Sequence, residues 1–350
     1  MIRLTQFSPG AGCGCKIASG DLDVILKCVH TTTPFSGLLV GNESRDDAAV
    51  FDIGNGNAII STTDFFTPIV DNAYDFGRIA ATNAISDVYA MGGRPLMAIA
   101  VLGWPLDRLP LELAREVVAG ARELCANANI PLAGGHSINI ATPVFGLAVT
   151  GMVRTEHVKK NSTAQAGCKV FLTKPLGTGL VTTAEKRGIV DPLDSAEAVR
   201  LMCTLNVAGS DFALLSGVRA MTDVTGFGLL GHATEMAEGS GVSMTLEYDK
   251  LPRITGVENY IAQDCTPGGT ARNWNSCRQK FFIGVAGVNE EKVKALICDP
   301  QTSGGLLVAV EPDAINDLYA AARKTETPLF EIGYLTEKKR NGAWVQVIDN

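Results

Sequence analysis

Phe76-Gly77-Arg78-Ile79-Ala80-Ala81-Thr82-Asn83-Ala84-Ile85-Ser86-Asp87-Val88-Tyr89-Ala90-Met91 is rich in alanine and large apolar side chains, and it stops at the pair Gly92-Gly93. Alanine loses no side-chain entropy in a helix and glycine commonly ends one, so the run predicts a helix over 76–91. Beyond Arg78 its only charge is Asp87, with Asn83 one turn away on the same face. Ile85, Val88, Tyr89 and Met91 leave little polar surface around that carboxylate. Burying it there is costly unless a cation or several donors meet it, which marks Asp87 as a candidate functional acid.

Strands flank this helix. Upstream, a short apolar run at 37–40 is followed by Glu43-Ser44-Arg45-Asp46-Asp47, which places Asp46 and Asp47 at the entrance of a buried strand. Ala58-Ile59-Ile60-Ser61-Thr62-Thr63-Asp64 is β-branched and ends on a carboxylate, and strand ends are where such sheets hold ligands. Downstream come a strand over 96–102, an amphipathic helix over 111–126, a glycine turn at Leu132–Ser137 tipped by His136 and Ser137, and a strand over 144–153. Near residue 156 the chain turns polar and aperiodic, which suits a domain boundary. The second half repeats the alternation. A strand at 169–173 precedes the glycine loop Lys174–Gly179, Thr222-Asp223-Val224-Thr225-Gly226-Phe227-Gly228 puts another carboxylate at a strand end, and the polar turn Asp299–Gly305 feeds a last buried strand. The pattern predicts a two-domain α/β (α+β) protein: a glycine-rich loop over 1–20, an N-terminal domain over 21–156 and a C-terminal domain over 157–350.

The run Ser8-Pro9-Gly10-Ala11-Gly12-Cys13-Gly14-Cys15-Lys16 carries two thiols and an amine among three glycines. Glycine at this density predicts a loop able to fold over a site, and a thiol beside a cation is expected to ionise more readily than usual. After a short helix over 17–27 the chain enters the first domain.

With 30 basic and 37 acidic residues the formal charge is −7, and the longest basic run is Lys338-Lys339-Arg340. Nucleic acid and acidic membrane surfaces are therefore poor partners, and binding a phosphate anion would call for a metal. No apolar run has the length of a signal peptide core or a membrane span, so the expected location is the cytoplasm. The nine cysteines form neither a disulfide framework nor a zinc pattern, and most are expected to be buried. Separated carboxylates at Asp47, Asp64, Asp87 and Asp223, without matching histidine or cysteine ligands, suit a hard cation such as Mg²⁺ bridging phosphate oxygens. No G-x-x-x-x-G-K-[ST] cradle occurs. The residues themselves thus describe a metal-and-phosphate enzyme with a reactive thiol.

Gly10–Lys16, Asp46-Asp47-Ala48-Ala49-Val50, Ser61–Phe66, Ala81–Asp87, Gly134-Gly135-His136-Ser137, Thr222–Gly228 and Asp299–Gly305 together resemble the selenophosphate synthetase (selenide, water dikinase) family, in family order over nearly the whole chain. The Gly-Cys-Gly-Cys-Lys run is the most discriminating of these motifs. The resemblance implies an aminoimidazole ribonucleotide synthetase-like fold whose N-terminal domains pair into a β-barrel across a homodimer. It also implies conversion of ATP, selenide and water to selenophosphate, phosphate and AMP, with Mg²⁺ required and K⁺ commonly needed. By the same resemblance Cys13 and Lys16 are catalytic, Lys16 reaching the nucleotide phosphates. Asp47, Asp87 and Asp223 are magnesium ligands. Ser44, Arg45, Asp46, Asp64 and Asp87 contact ATP, and Gly135, His136 and Ser137 reach it from the partner subunit. Hydrogen selenide is then a substrate, and a selenium-delivery protein a possible partner. Two alternatives stand beside this expectation: a kinase or ligase of the same fold acting on a small metabolite, and a thiol-based selenium carrier without turnover.

Overall fold

The computed structural model describes residues 2–8, 10, 12–17, 19–26, 35–338 and 342–349. Pro9 and Ala11 of the thiol run, Lys27, Cys28, Lys339 and Arg340 lie outside the described residues. Six strands, β1 (Leu38–Val40), β2 (Ala49–Gly54), β3 (Asn57–Phe66), β4 (Arg94–Trp104), β5 (Leu132–Asn139) and β6 (Val144–Arg154), form one sheet ordered β1-β2-β3-β6-β4-β5. Seven more, β7 (Lys169–Leu172), β8 (Val218–Asp223), β9 (Val242–Glu247), β10 (Phe281–Gly284), β11 (Leu306–Val310), β12 (Phe330–Glu337) and β13 (Val345–Ile348), form a mixed sheet ordered β10-β13-β9-β12-β7-β11-β8. Two α/β layers built on separate sheets match the expected class.

The helices that matter for the site are α1 (Ser19–Leu26), α2 (Ala73–Ala90), α3 (Leu111–Asn127), α4 (Thr178–Arg187), α5 (Pro192–Met202), α6 (Ala208–Phe212) and α7 (Gly228–Ser240). The predicted 76–91 helix begins one turn earlier, because Asn72 accepts a hydrogen bond from Asp75 N–H at 2.9 Å and caps it. It is buried almost along its whole length. Its close neighbour is α3, and two glycines make the approach possible. A Cβ on Gly77 would lie 1.9 Å from the Val117 carbonyl oxygen, and one on Gly120 would lie 2.0 Å from that of Tyr74.

One expectation is corrected. Leu132–Ser137 is not a glycine turn but part of β5, an edge strand parallel to β4. Its glycines serve the pairing: a Cβ on Gly135 would collide with the Ala100 carbonyl at 2.2 Å.

On the first sheet, Val50, Ala58, Ile60 and Phe66 are buried beneath α2, while Phe51, Ile53, Phe65, Met97, Ile99 and Ile138 stand exposed on the other face. Among the described residues no helix is long and apolar enough to cross a membrane. All eight described cysteines are free, six of them buried, with Cys15 exposed and Cys203 between.

Candidate functional site

Gly12–Cys15 is a single 3-10 turn seated where the two sheets' domains meet. Gly12 N–H donates to Thr67 O at 3.2 Å, and Cys13 N–H donates to Thr302 Oγ1 at 3.1 Å, so one anchor comes from each half of the chain. Arg272 Nη2 donates to Gly14 O at 2.6 Å. Gly12 has φ +51°, and a Cβ there would press on Ile69 and on Thr302 Oγ1 at 2.5 Å.

The seat overturns one chemical expectation. Cys13 is 1% exposed, and its Sγ donates to Asn83 Oδ1 at 3.2 Å. Burial pushes the thiol up to about 12, and Lys16, which favours the thiolate, offsets only part of this. In the docked turn Cys13 is therefore a neutral hydrogen-bond donor. Cys15 is exposed, with Sγ 3.1 Å from Thr67 Oγ1. Alkylation with iodoacetamide at pH 7.5, followed by peptide mass spectrometry, is expected to modify Cys15 about tenfold or more faster than Cys13, because reactivity follows thiolate fraction and access. Equal rates would show that the turn does not dock this way in solution.

Lys16 Nζ lies 3.5 Å from the Asp64 carboxylate. Burial works against its charge, but the fields of Asp64, Asp87 and Asp223 outweigh that and raise its pKa. The side chain keeps 36% of its surface, so the ammonium faces both the acids and solvent.

The acids form the floor. Asp64 accepts from Asn83 Nδ2 at 2.5 Å, and Asp87 accepts from Thr62 Oγ1 at 2.5 Å, which ties β3 to α2. Asp223, at the end of β8, accepts from Ser86 Oγ at 2.5 Å, and Asp47 Oδ1 accepts from Thr222 Oγ1 at 2.7 Å. Burial, followed by mutual repulsion, pushes Asp87 and Asp47 well above the usual carboxylate range. Burial likewise pushes Asp223 up to about 6, against the pull of Ser86 and Lys16. Asp47 Oδ2 is buried without a hydrogen-bond partner. A bare buried carboxylate oxygen among like charges is what a divalent cation would relieve. Among the described residues no three His, Cys, Asp or Glu side chains already stand together as a metal cage.

The remaining expected residues are placed less centrally. Ser44 is in the turn Asn42–Ser44, its side chain outside the described residues. Arg45 follows at φ 52°, and Asp46 Oδ1 accepts from Asn161 N–H at 2.6 Å, joining this turn to the segment between the sheets. Gly135, His136 and Ser137 are exposed on β5. Asp64 pairs with Leu147, Leu147 with Ala100, and Ala100 with Gly135, so Gly135 lies three strands away in the same row. That is roughly 14 Å from Asp64 within one subunit.

Several further contributors complete the site, of which Asn206 and Lys174 carried no site signal in the sequence. Asn83, fully buried, is the hub: Oδ1 accepts from Cys13 Sγ and from Ser303 N–H at 2.8 Å, while Nδ2 holds Asp64. Asn206 donates to Ser86 Oγ at 2.8 Å and to Gly304 O at 2.9 Å. Buried Lys174 donates to Thr204 O at 2.6 Å and Ser303 O at 2.9 Å, and burial draws its pKa down to about 7. The turn Asp299–Gly305 caps α4, with Gln301 Oε1 accepting from Gly177 N–H, Thr178 N–H and Thr178 Oγ1 at 3.0–3.2 Å, and Asp299 Oδ2 accepting from Gly179 N–H at 3.0 Å.

Asp299 is fully buried, and burial pushes its carboxyl up to about 8. A folded-state pKa above the unfolded value of about 3.9 gives stability that is complete at low pH and lost as pH rises through about 8. Denaturant unfolding is expected to show the protein more stable at pH 5.5 than at pH 8.5, with Asp299→Asn reducing the difference. An unchanged difference in the variant would place its origin elsewhere.

Residues 45–153 match the family described as AIR synthase related protein, N-terminal domain, and residues 165–346 match the corresponding C-terminal domain. A curated protein of Salmonella typhi named "Selenide, water dikinase" is 58% identical over 346 residues, 99% of this chain and 98% of that one. The chain belongs to the selenide, water dikinase family. Among solved structures, thiamine-monophosphate kinase from Stenotrophomonas maltophilia K279a shares the fold at 19% identity and a TM-score of 0.64, covering 95% of this chain and 96% of that one. Hydrogenase maturation protein HypE in complex with ATP does so at 18% and 0.63, covering 96% and 90%. Within the selenide, water dikinase family frame, the thiol turn is the part set directly over the acidic floor, and Asn83 is the residue that joins the two.

Proposed function

We propose that the chain makes selenophosphate, phosphate and AMP from ATP, selenide and water, with the site divided between a cationic, thiol-bearing lid and an acidic floor. The observation that carries this reading is the docking of Cys13 and Lys16 onto Asn83 and Asp64, beside the crowded carboxylates of Asp47, Asp87 and Asp223. The three aspartates are the proposed magnesium ligands, and Asp64 and Asp87 also face ATP. Magnesium held by these aspartates would supply positive charge to offset that of the nucleotide phosphates. Lys16 supplies a positive group that faces both floor and solvent, suited to charge building on the transferred phosphoryl. Hydrogen selenide is already largely ionised at neutral pH, so it needs positioning rather than deprotonation. Cys13 serves that end as a neutral thiol in the docked state, guiding the selenium atom while the turn excludes water.

Ser44, Arg45 and Asp46 are proposed nucleotide contacts at the rim. The distance of Gly135–Ser137 from the floor and the bare apolar face of the first sheet both support a homodimer in which β5 serves the partner's nucleotide. The 21–156 and 157–350 division, the β-barrel pairing, a K⁺ requirement, delivery of selenium by another protein and a cytoplasmic location belong to the same proposal.

The test is nucleotide analysis after incubation with Mg²⁺ and ATP, with and without selenide. Selenide-dependent AMP, equimolar with phosphate, is expected. ADP as the end product would favour a small-metabolite kinase, and intact ATP would favour a selenium carrier.

A further inference from the structure

The residues just upstream of the thiol turn are tied to both halves of the chain. Arg3 Nε donates to Asp71 Oδ2 at 2.7 Å, while Thr5 N–H and Thr5 Oγ1 donate to Asp71 Oδ1 at 2.9 and 2.6 Å. Arg3 Nη2 also donates to Glu185 O and Lys186 O at 2.9 and 3.2 Å, at the C-terminal end of α4, where exposed carbonyls favour a cation. Lys186 Nζ returns the contact by donating to Ser8 O at 2.9 Å. Between these bonds Leu4 is wholly buried and Thr5 is 1% exposed.

Both anchors lead into the site. Asp71 lies on the connector from β3 to α2, which also carries Thr67 and Ile69 of the turn's seat, and those two elements bear Asp64, Asn83 and Asp87. The other anchor, α4, is capped at its N-terminus by Gln301 of the turn whose Thr302 holds Cys13 N–H. The strap thus bridges the two halves of the chain that must agree on where Cys13 and Lys16 sit.

We propose, on the reading of the site given above, that Arg3–Ser8 is a fixed strap pinning the upstream root of the thiol turn, with Asp71 its positioning residue. Asp71 touches neither thiol nor floor and acts by limiting how far the turn can lift. A lid fixed at one end pays less entropy on closing than one free at both.

The test compares Asp71→Ala and the milder Arg3→Ala with wild type by iodoacetamide labelling of Cys13, read by peptide mass spectrometry in the absence of substrates. Several of the lost bonds are charge-assisted, so Asp71→Ala is expected to speed Cys13 labelling about tenfold, with a smaller gain for Arg3→Ala. Selenide-dependent kcat should fall about as far, the KM for ATP should change little, and Arg3→Lys should recover part of the loss. Labelling at the wild-type rate in both variants overturns the proposal, whether or not activity falls. If Asp71→Ala does not fold, Arg3→Ala alone decides. The labelling involves no turnover, so absence of selenophosphate from the wild type would defeat the functional reading and leave this result standing.

Discussion

Lys16→Ala is expected to lower selenide-dependent ATP turnover about a thousandfold, roughly 4 kcal/mol of transition-state stabilisation, with unchanged folding. Among the described residues the ammonium is the cation that approaches Asp64, and the neighbouring acids Asp64, Asp87 and Asp223 hold it charged, so its loss leaves the transferring phosphoryl without that donor. Its side chain is partly exposed and contributes little to the core, so the thermal midpoint should move by no more than a few degrees. Lys16→Arg keeps the charge but not the compact ammonium, and should recover only part of the rate. A fully active Lys16→Ala enzyme would remove the lysine from the mechanism.

Asp223→Asn is expected to be as damaging to turnover and to leave the protein folded, even somewhat stabilised. The carboxylate is 1% exposed and ionises only from about 6 upward, because burial and its acidic surroundings oppose the charge. An amide can still accept from Ser86 Oγ, so the local hydrogen bond survives while repulsion with Asp47 and Asp87 falls. Such a gain in stability is the usual mark of a site strained for function. In the metal-free protein at pH 8 it should appear as a higher denaturation midpoint, together with about a thousandfold loss of kcat and a raised Mg²⁺ requirement. Normal magnesium dependence in the variant would count against Asp223 as a ligand.

The parts of this site legible in the sequence were those fixed by short-range pattern. The alanine-rich run ending at Gly92-Gly93 identified α2, and the four-residue spacing put Asn83 and Asp87 on one face, where they now hold Asp64 and Thr62. Asp223 ends β8 as expected, whereas Asp64 sits two residues inside β3, which runs on to Phe66. The illegible parts depend on contacts between residues far apart in the chain. The neutral state of Cys13 follows from a seat built by Thr67, Asn83 and Thr302, and the adjacent lysine, which the sequence does show, is too weak to reverse it. The pairing of Asp47 with Thr222 spans 175 residues. At Leu132–Ser137 the glycines looked like a turn because their use, close approach to Ala100, requires knowing that β4 is the neighbour.

The most direct measurement of the central claim is ³¹P NMR of the products formed from ATP and ⁷⁷Se-labelled selenide with Mg²⁺. The account predicts two new phosphorus products beside AMP: inorganic phosphate, and a signal split into a doublet by a directly bonded ⁷⁷Se nucleus. The second should be absent with Lys16→Ala. Phosphate and AMP without the doublet, or no consumption of ATP, would contradict it.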